Sequence, residues 1–521
     1  MLNPPQTLRE KAAQLVFVRL GSNMSPPIAA EDDAARVVSL MERCPIGGLV
    51  LFNGAWPQTA RTLAALQEHS RYPLLVGADV ERGVGPHVEG ATTFPHARAF
   101  AALGGDAADA VHTFAQMTAL EARACGIHWA FAPVADVNVN PANPIIGPRA
   151  YGDEPSMVRP LVEAFIQGAK AGGLLTTAKH FPGHGRTATD SHAELPVVTA
   201  ARDELEQVDW PPFGAAIEAG VDSMMTAHVA YPALDPVRRP ATSSSPILRD
   251  LLRGEMSFEG VVVSDSLVME GAASPADAGE HAAALIEAGV DVLLDPVDPE
   301  AVVDGLVQAV EHGRLAEDRI EAAFQRVWQL KLRWAERAGE EAFAPSDTAD
   351  ASPVGAPAHR AHAERVARQA VTVVDGAVET ATLAHPQRVL VVRMGRKANT
   401  ETSTLHDAAR VVWPQAQYED APPDLTPDRM KDIEHCARRV DHVVLALIAT
   451  PAAWQSVGLS AAQTMLMRTL VTAHPTTVAA LGSSHVLADV PAEARAQLCT
   501  FSDVPAAQQA LMEFLSEPTD G

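Results

Sequence analysis

Residues 174–181 read LLTTAKHF, a short run of apolar and β-branched residues that closes on two ionisable side chains, Lys179 and His180. Seven other runs have the same form. They are AQLVFVRL (13–20), GGLVLF (47–52), PLLVGAD (73–79), WAFAPVADV (129–137), DSMMTAH (222–228), GVVVSDS (260–266) and DVLLDP (291–296). Helical patterns lie between them. Continuous apolar strands separated by helices are buried on both faces and run parallel, and eight of them predict a closed (β/α)8 barrel. An open doubly wound sheet is the competing reading, and the strand count favours the barrel.

The ends of these runs collect polar residues: Asp79, Asp136, Lys179 with His180, His228, Asp265 and Asp295. In a parallel barrel the C-terminal strand ends share one rim, where active sites sit. A single strand-end aspartate is often only a helix cap or a turn residue. Ionisable groups on six of eight strands exceed what capping requires.

Downstream, residues 339–362 read GEEAFAPSDTADASPVGAPAHRAH, without apolar period, and are expected to be a linker. The fold class is then α/β: a barrel over 1–338, followed by a smaller α/β sandwich domain over 363–521. RVLVVRMG, HVVLALIAT and TTVAALGSS supply strands of the second domain, with helical AAQTMLMRTL between the last two. It shows no phosphate-binding loop.

Composition narrows the partners. The 521 residues are 47% hydrophobic, ample for large cores. A net charge of −25 argues against nucleic acid or an anionic membrane, because phosphate binding needs clustered Lys and Arg. Cys44, Cys125, Cys436 and Cys499 are far apart, which suits reduced thiols better than disulfides or a zinc site. No stretch reaches the roughly 18 apolar residues of a membrane span, and no signal-like segment opens the chain. The expected location is the cytoplasm; oligomeric state is open.

The densest chemical signal is LTTAKHFPGHGRTATDSHAELP. Pro182 and Gly183 end the strand, and a polar loop with Asp190 and His192 follows. Asp190 can accept a hydrogen bond from the His192 ring, fix its tautomer and make it a proton donor near neutrality. A zinc pair of His180 and His184 is disfavoured, since the Pro and Gly between them break the helix that such spacing needs. His184 is as readily structural as functional. Asp265 follows an apolar strand and precedes a loop, so its carboxylate projects into the barrel mouth. With no second ligand at metal spacing, a nucleophile or electrostatic stabiliser is expected there.

K-H-F-P-G-H-G followed by D-S-H, then M-T-A-H-V-x-Y-P, P-A-T-x-S and S-D-x-L-x-M-x-G-A, resembles the glycoside hydrolase family 3 β-N-acetylhexosaminidases. The likeness runs from near Leu8 to GVDVLLDP, and ARQAVTVVDG with ALGSSHVLADVP resembles the C-terminal domain of two-domain members. The resemblance implies a retaining mechanism, with Asp265 as nucleophile and His192, partnered by Asp190, as acid/base. It implies sugar contacts at Asp79, Arg149, Lys179 and His180, a small carbohydrate as substrate, and no metal or organic cofactor.

One departure stands out. Where the family commonly reads D-Q-E-G-G-R-V-x-R, this chain has Asp79-Val80-Glu81-Arg82-Gly83-Val84-Gly85-Pro86-His87. His87 replaces an arginine of the expected sugar contacts, which loosens the implied sugar preference. The implied activity is exo-hydrolysis of terminal β-N-acetylglucosamine, from oligosaccharides or muropeptide fragments. Broader β-glucosidase or phosphorylase activity is the alternative. A non-catalytic sugar-binding barrel is disfavoured, because a binder needs no proton-transfer loop.

Overall fold

A computed structural model describes residues 3–189, 195–269, 277–339, 353–383, 388–395, 402–450 and 458–517. Each of the eight apolar runs contains a strand: β1 (Val16–Leu20), β2 (Gly48–Leu51), β3 (Leu75–Ala78), β4 (Trp129–Ala130), β5 (Thr177–Phe181), β6 (Ser223–Thr226), β7 (Val261–Val263) and β8 (Leu293–Leu294). Strands β4-β3-β2-β1-β8 form one parallel sheet and β5-β6-β7 another. Parallel bridges Trp129–Leu175 and Val263–Val292 join their edges. The bonds there are sound, with Ala130 N–H donating to Leu175 O at 2.8 Å and Ser264 N–H to Val292 O at 3.0 Å. The ring closes as a (β/α)8 barrel.

Two strands are shorter than their apolar runs, for local reasons. After Ala130, Pro133 has no N–H to give to a ladder. After Leu294, Asp295 adopts φ +55°, the left-handed region that ends an extended strand. The interior is filled by large rings where neighbouring strands are small. Trp129 is wholly buried and meets Phe17 edge-on at 5.6 Å and Phe131 at 5.2 Å. Gly48 and Gly77 make room: a Cβ would sit 2.2 Å from the Phe17 ring at Gly48 and 2.3 Å from the Phe131 ring at Gly77. The indole N–H donates to Ser223 Oγ at 2.9 Å, so the buried polar atom is satisfied.

Two compact units are present. The first comprises 1–93, 108–140 and 152–359; the second comprises 94–107, 141–151 and 360–521. Two short segments of the first 338 residues thus group with the C-terminal unit. Within that unit, His96 Nδ1 lies 2.9 Å from Ser502 Oγ, and the Arg98 guanidinium lies over the Phe501 ring. The described part of the segment expected to be a linker includes the start of a helix. Pro357–Ala370 is a helix, and His359 Nδ1 lies 2.6 Å from the buried carboxylate of Glu121. Proline at the first helical turn and that buried partner outweigh the loop-like composition.

The second unit is a six-stranded sheet built from β9 (Thr372–Asp375), β10 (Val389–Met394), β11 (Gln417–Ala421), β12 (His442–Ala449), β13 (Thr476–Gly482) and β14 (Ala496–Cys499). The order is β11-β10-β12-β13-β14-β9, parallel except for β9. Central β12 is buried along its whole length, with helices packed on both faces of the sheet. No helix among the described residues is long and apolar enough to cross a membrane.

At the N-terminal end of the barrel, Lys331 from helix Glu317–Ala338 is fully buried. Its Nζ donates to Gln14 Oε1 and Pro73 O, both at 2.6 Å. Burial pulls the amine down to about 7. The unfolded amine stays protonated up to its ordinary value near 10.5. The burial penalty is therefore present in full below pH 7 and is relieved as pH rises from 7 to 10.5. Lys331→Met should gain stability relative to wild type at pH 6, by up to about 3–5 kcal/mol, and the gain should shrink by pH 10. Urea unfolding of both proteins at the two pH values checks this; a pH-independent difference would contradict it.

Candidate active site

Strand β5 sets the site. Its pairing with β6 shifts register between Ala178 and Phe181, at Lys179 and His180. Such irregularities re-aim side chains next to active sites. Lys179 is 2% exposed and donates from Nζ to Asp79 Oδ1 and pairs with Glu81 Oε1, both at 2.6 Å. Asp79, just beyond β3, keeps 40% of its side chain exposed to solvent.

His180 goes to a different carboxylate. Its Nδ1 lies 2.7 Å from Asp136 Oδ2, and its backbone N–H donates to the same carboxylate at 3.2 Å. The His184 N–H also donates to Asp136 Oδ1, at 2.6 Å. Burial alone would raise the Asp136 carboxyl, but His180 and then His184 outweigh it and hold it below its ordinary value. His184 itself is buried with Nδ1 2.9 Å from Thr187 Oγ1, and burial, aided by His180, pulls its ring down to about 4. That environment gives His184 a structural part as a neutral ring.

The loop leaving β5 is tied down along its described length. Tyr231 Oη donates to Gly183 O at 2.6 Å, and Arg186 Nε donates to Asp209 Oδ2 at 2.7 Å. Asn140 bonds to it twice, with its N–H on Gly185 O at 3.1 Å and Nδ2 on Thr187 O at 3.0 Å. Asp190 and His192 lie outside the described residues.

Asp265 follows β7, and its Oδ1 accepts the Ser266 N–H at 2.8 Å. Burial would raise this carboxyl. His180, then His228, the Ser266 N–H and Lys179 outweigh burial and hold it below its ordinary value. The carboxylate is therefore ionised at neutral pH and only partly shielded from solvent. A charged carboxylate beside Lys179 and two histidines suits attack on an electrophilic carbon or stabilisation of a developing positive charge.

Asp79, Lys179, His180 and Asp265 all follow or end strands at the C-terminal rim. His87 and Arg149 behave differently. The His87 ring is turned to the backbone, with Nε2 2.9 Å from Asp79 O and Nδ1 3.2 Å from Phe52 O. Arg149 belongs to the second unit, where its Nη1 donates to Ile145 O at 2.9 Å. Glu81 and Arg19 carried no expectation. Glu81 was legible only as the residue two beyond Asp79, and Arg19 as the one cation in the run 13–20.

Residues 7–330 match the glycosyl hydrolase family 3 N-terminal domain. A β-hexosaminidase A of Pseudoalteromonas piscicida is 33% identical over 366 residues, covering 64% of this chain and 60% of that protein. A β-N-acetylglucosaminidase/β-glucosidase of Cellulomonas fimi is 32% identical over 338 residues, covering 63% and 59%. This chain thus spans about 60% of the length of those two relatives. The solved structure of a family 3 β-N-acetylglucosaminidase from Paenibacillus sp. str. FPU-7 superposes with a TM-score of 0.87 at 31% identity, covering 98% of this chain and 97% of that one. With a family match over more than half its residues and a like architecture from end to end, this chain belongs to glycosyl hydrolase family 3.

Proposed function

We propose that this protein is a retaining, exo-acting glycosidase that removes terminal β-linked N-acetylglucosamine. The observation that carries the reading is Asp265, kept ionised at the barrel rim by His180, His228 and Lys179. The names of the Pseudoalteromonas and Paenibacillus relatives support the sugar. Oligosaccharides or muropeptide fragments are the proposed substrates. The cytoplasm is the proposed location, on the strength of four free cysteines scattered along the chain.

In the first step a carboxylate oxygen of Asp265 attacks the anomeric carbon, and the bond to the leaving oxygen breaks. His192, oriented by Asp190, gives that oxygen its proton. A covalent glycosyl-enzyme results. His192 then takes a proton from water, which attacks the same carbon from the opposite face and releases Asp265. Two displacements give net retention. Retaining enzymes usually use two carboxyl groups; an imidazole can replace the second because it titrates near working pH.

The other residues act around that exchange. Asp79 and Lys179 hold hydroxyls of the non-reducing sugar, with Glu81 sharing the Lys179 charge. His180 shapes the pocket from its anchor on Asp136. His87, with both ring nitrogens near backbone carbonyls, fixes the segment after β3. The Cellulomonas relative carries a double name, which favours glucose as a second accepted sugar. A screen of nitrophenyl β-glycosides of GlcNAc and glucose, with and without phosphate, separates strict hexosaminidase, glucosidase and phosphorylase.

Asp265→Asn removes the nucleophilic charge and keeps the volume. Turnover should fall by at least about 10⁴-fold while the thermal midpoint moves little. Activity within tenfold of wild type would rule Asp265 out as the nucleophile.

His192→Ala should cost about 10²–10⁴-fold on substrates with poor leaving groups. It should cost far less on activated aryl glycosides, which depart with little protonation. The slope of log rate against leaving-group pKa, compared with wild type, reads the difference. Equal losses across the series would mean that His192 binds or shapes the loop and that the proton comes from elsewhere.

A further inference from the structure

Ser266, the residue after Asp265, is held from three directions. Its Oγ donates to Asp295 Oδ2 at 2.8 Å, from the end of β8. Its carbonyl lies 3.3 Å from His228 Nε2, just beyond β6. The following Leu267 N–H donates to Leu294 O at 2.9 Å. Its own N–H holds Asp265 Oδ1. The side chain of Ser266 is thus bonded one way and its backbone the other, and the backbone bond falls on the carboxylate that matters.

Asp295 is itself fixed at some cost. Its backbone sits at φ +55°, a region that a non-glycine residue occupies only when its surroundings require it. That turn aims a carboxylate that is 1% exposed at Arg19 and Ser266. Arg19 grips it with two parallel bonds, Nε to Oδ1 at 2.7 Å and Nη2 to Oδ2 at 2.6 Å. Bidentate guanidinium–carboxylate pairs are directional and strong. The Arg19 guanidinium lies over the Phe52 ring at 5.4 Å, and its backbone carbonyl accepts from Arg36. The chain of contacts therefore runs from β1 through β8 to the residue beside Asp265. The Arg19 charge also offsets Asp295, whose carboxylate alone would oppose ionisation of Asp265.

We propose that Arg19, Asp295 and Ser266 form a positioning relay that fixes the Asp265 carboxylate for attack. This rests on Asp265 being the nucleophile. Ser266 is a positioning residue and touches no substrate in this account. Its N–H holds one carboxylate oxygen so that the other faces the anomeric carbon in the geometry the reaction needs. A small misplacement of a reacting group costs rate without costing binding.

The test compares Ser266→Ala, Ser266→Thr, Arg19→Met and the Ser266→Ala/Arg19→Met double variant, with Asp265→Asn alongside. The substrate is nitrophenyl β-N-acetylglucosaminide, and inhibition by free N-acetylglucosamine reports binding. Ser266→Ala should lower kcat by about ten- to a hundredfold. KM and the inhibition constant should stay within twofold. Ser266→Thr, which keeps the hydroxyl, should recover most of the lost rate. The double variant should be no slower than Ser266→Ala, because both changes cut one relay.

A Ser266→Ala enzyme within twofold of wild-type kcat, beside an inactive Asp265→Asn, would overturn the relay and leave the nucleophile intact. Equal losses in kcat and in binding, no rescue by threonine, or multiplying losses in the double variant would also overturn it. An active Asp265→Asn would instead overturn the reading of Asp265, and the relay with it.

Discussion

Three N–H donors converge on the buried carboxylate of Asp136: the backbone N–H groups of His180 and His184 and the Nδ1 of the His180 ring. That convergence fixes the end of β5, and the site is built from there. With His180 turned toward Asp136, its neighbour Lys179 is left to bridge Asp79 and Glu81. One strand end thus delivers a lysine and a histidine, each tethered by carboxylates. Neither is free to swing, and both act on Asp265.

The physical logic is one of compensation. A buried carboxylate without partners would take up a proton, and removing one member of a buried pair costs about 3–5 kcal/mol. Here four acids near the rim have a direct counterweight. Asp136 has His180, Asp79 and Glu81 share Lys179, and Asp295 has Arg19. Among the described residues, Asp265 is stabilised mainly at a distance, with a short bond from the Ser266 N–H. Among the described residues no direct ion pair consumes its charge. A nucleophile needs that condition, since a carboxylate locked to a guanidinium has little electron density to give.

Much of the fold is legible in the sequence alone. The eight apolar runs located all eight barrel strands, because strands buried on both faces leave a continuous hydrophobic trace. The ionisable strand ends named Asp79, Lys179, His180 and Asp265. Composition served less well at 357–362, where a proline-rich stretch starts a helix held by the bond between His359 and Glu121. Strand β11 escaped notice because QYEDA, a peripheral strand, lacks an apolar run. The pairing of acids with cations was also illegible. Asp136 is 44 residues from His180 and Arg19 is 276 from Asp295, so only the closed barrel brings them together. His87 could be read as a substitution, but not that its ring turns to the backbone.

The central claim is that the carboxylate sustained by Lys179, His180 and His228 is the atom group that bonds to the sugar. The most direct measurement uses a 5-fluoro N-acetylglucosaminyl fluoride, whose covalent intermediate is slow to hydrolyse. Fluoride leaves as the ester forms, and the labelled protein is digested and sequenced by mass spectrometry. The account predicts one adduct, on the peptide that contains Asp265, formed in step with loss of activity. An adduct on any other residue, or inactivation without covalent mass, would contradict it.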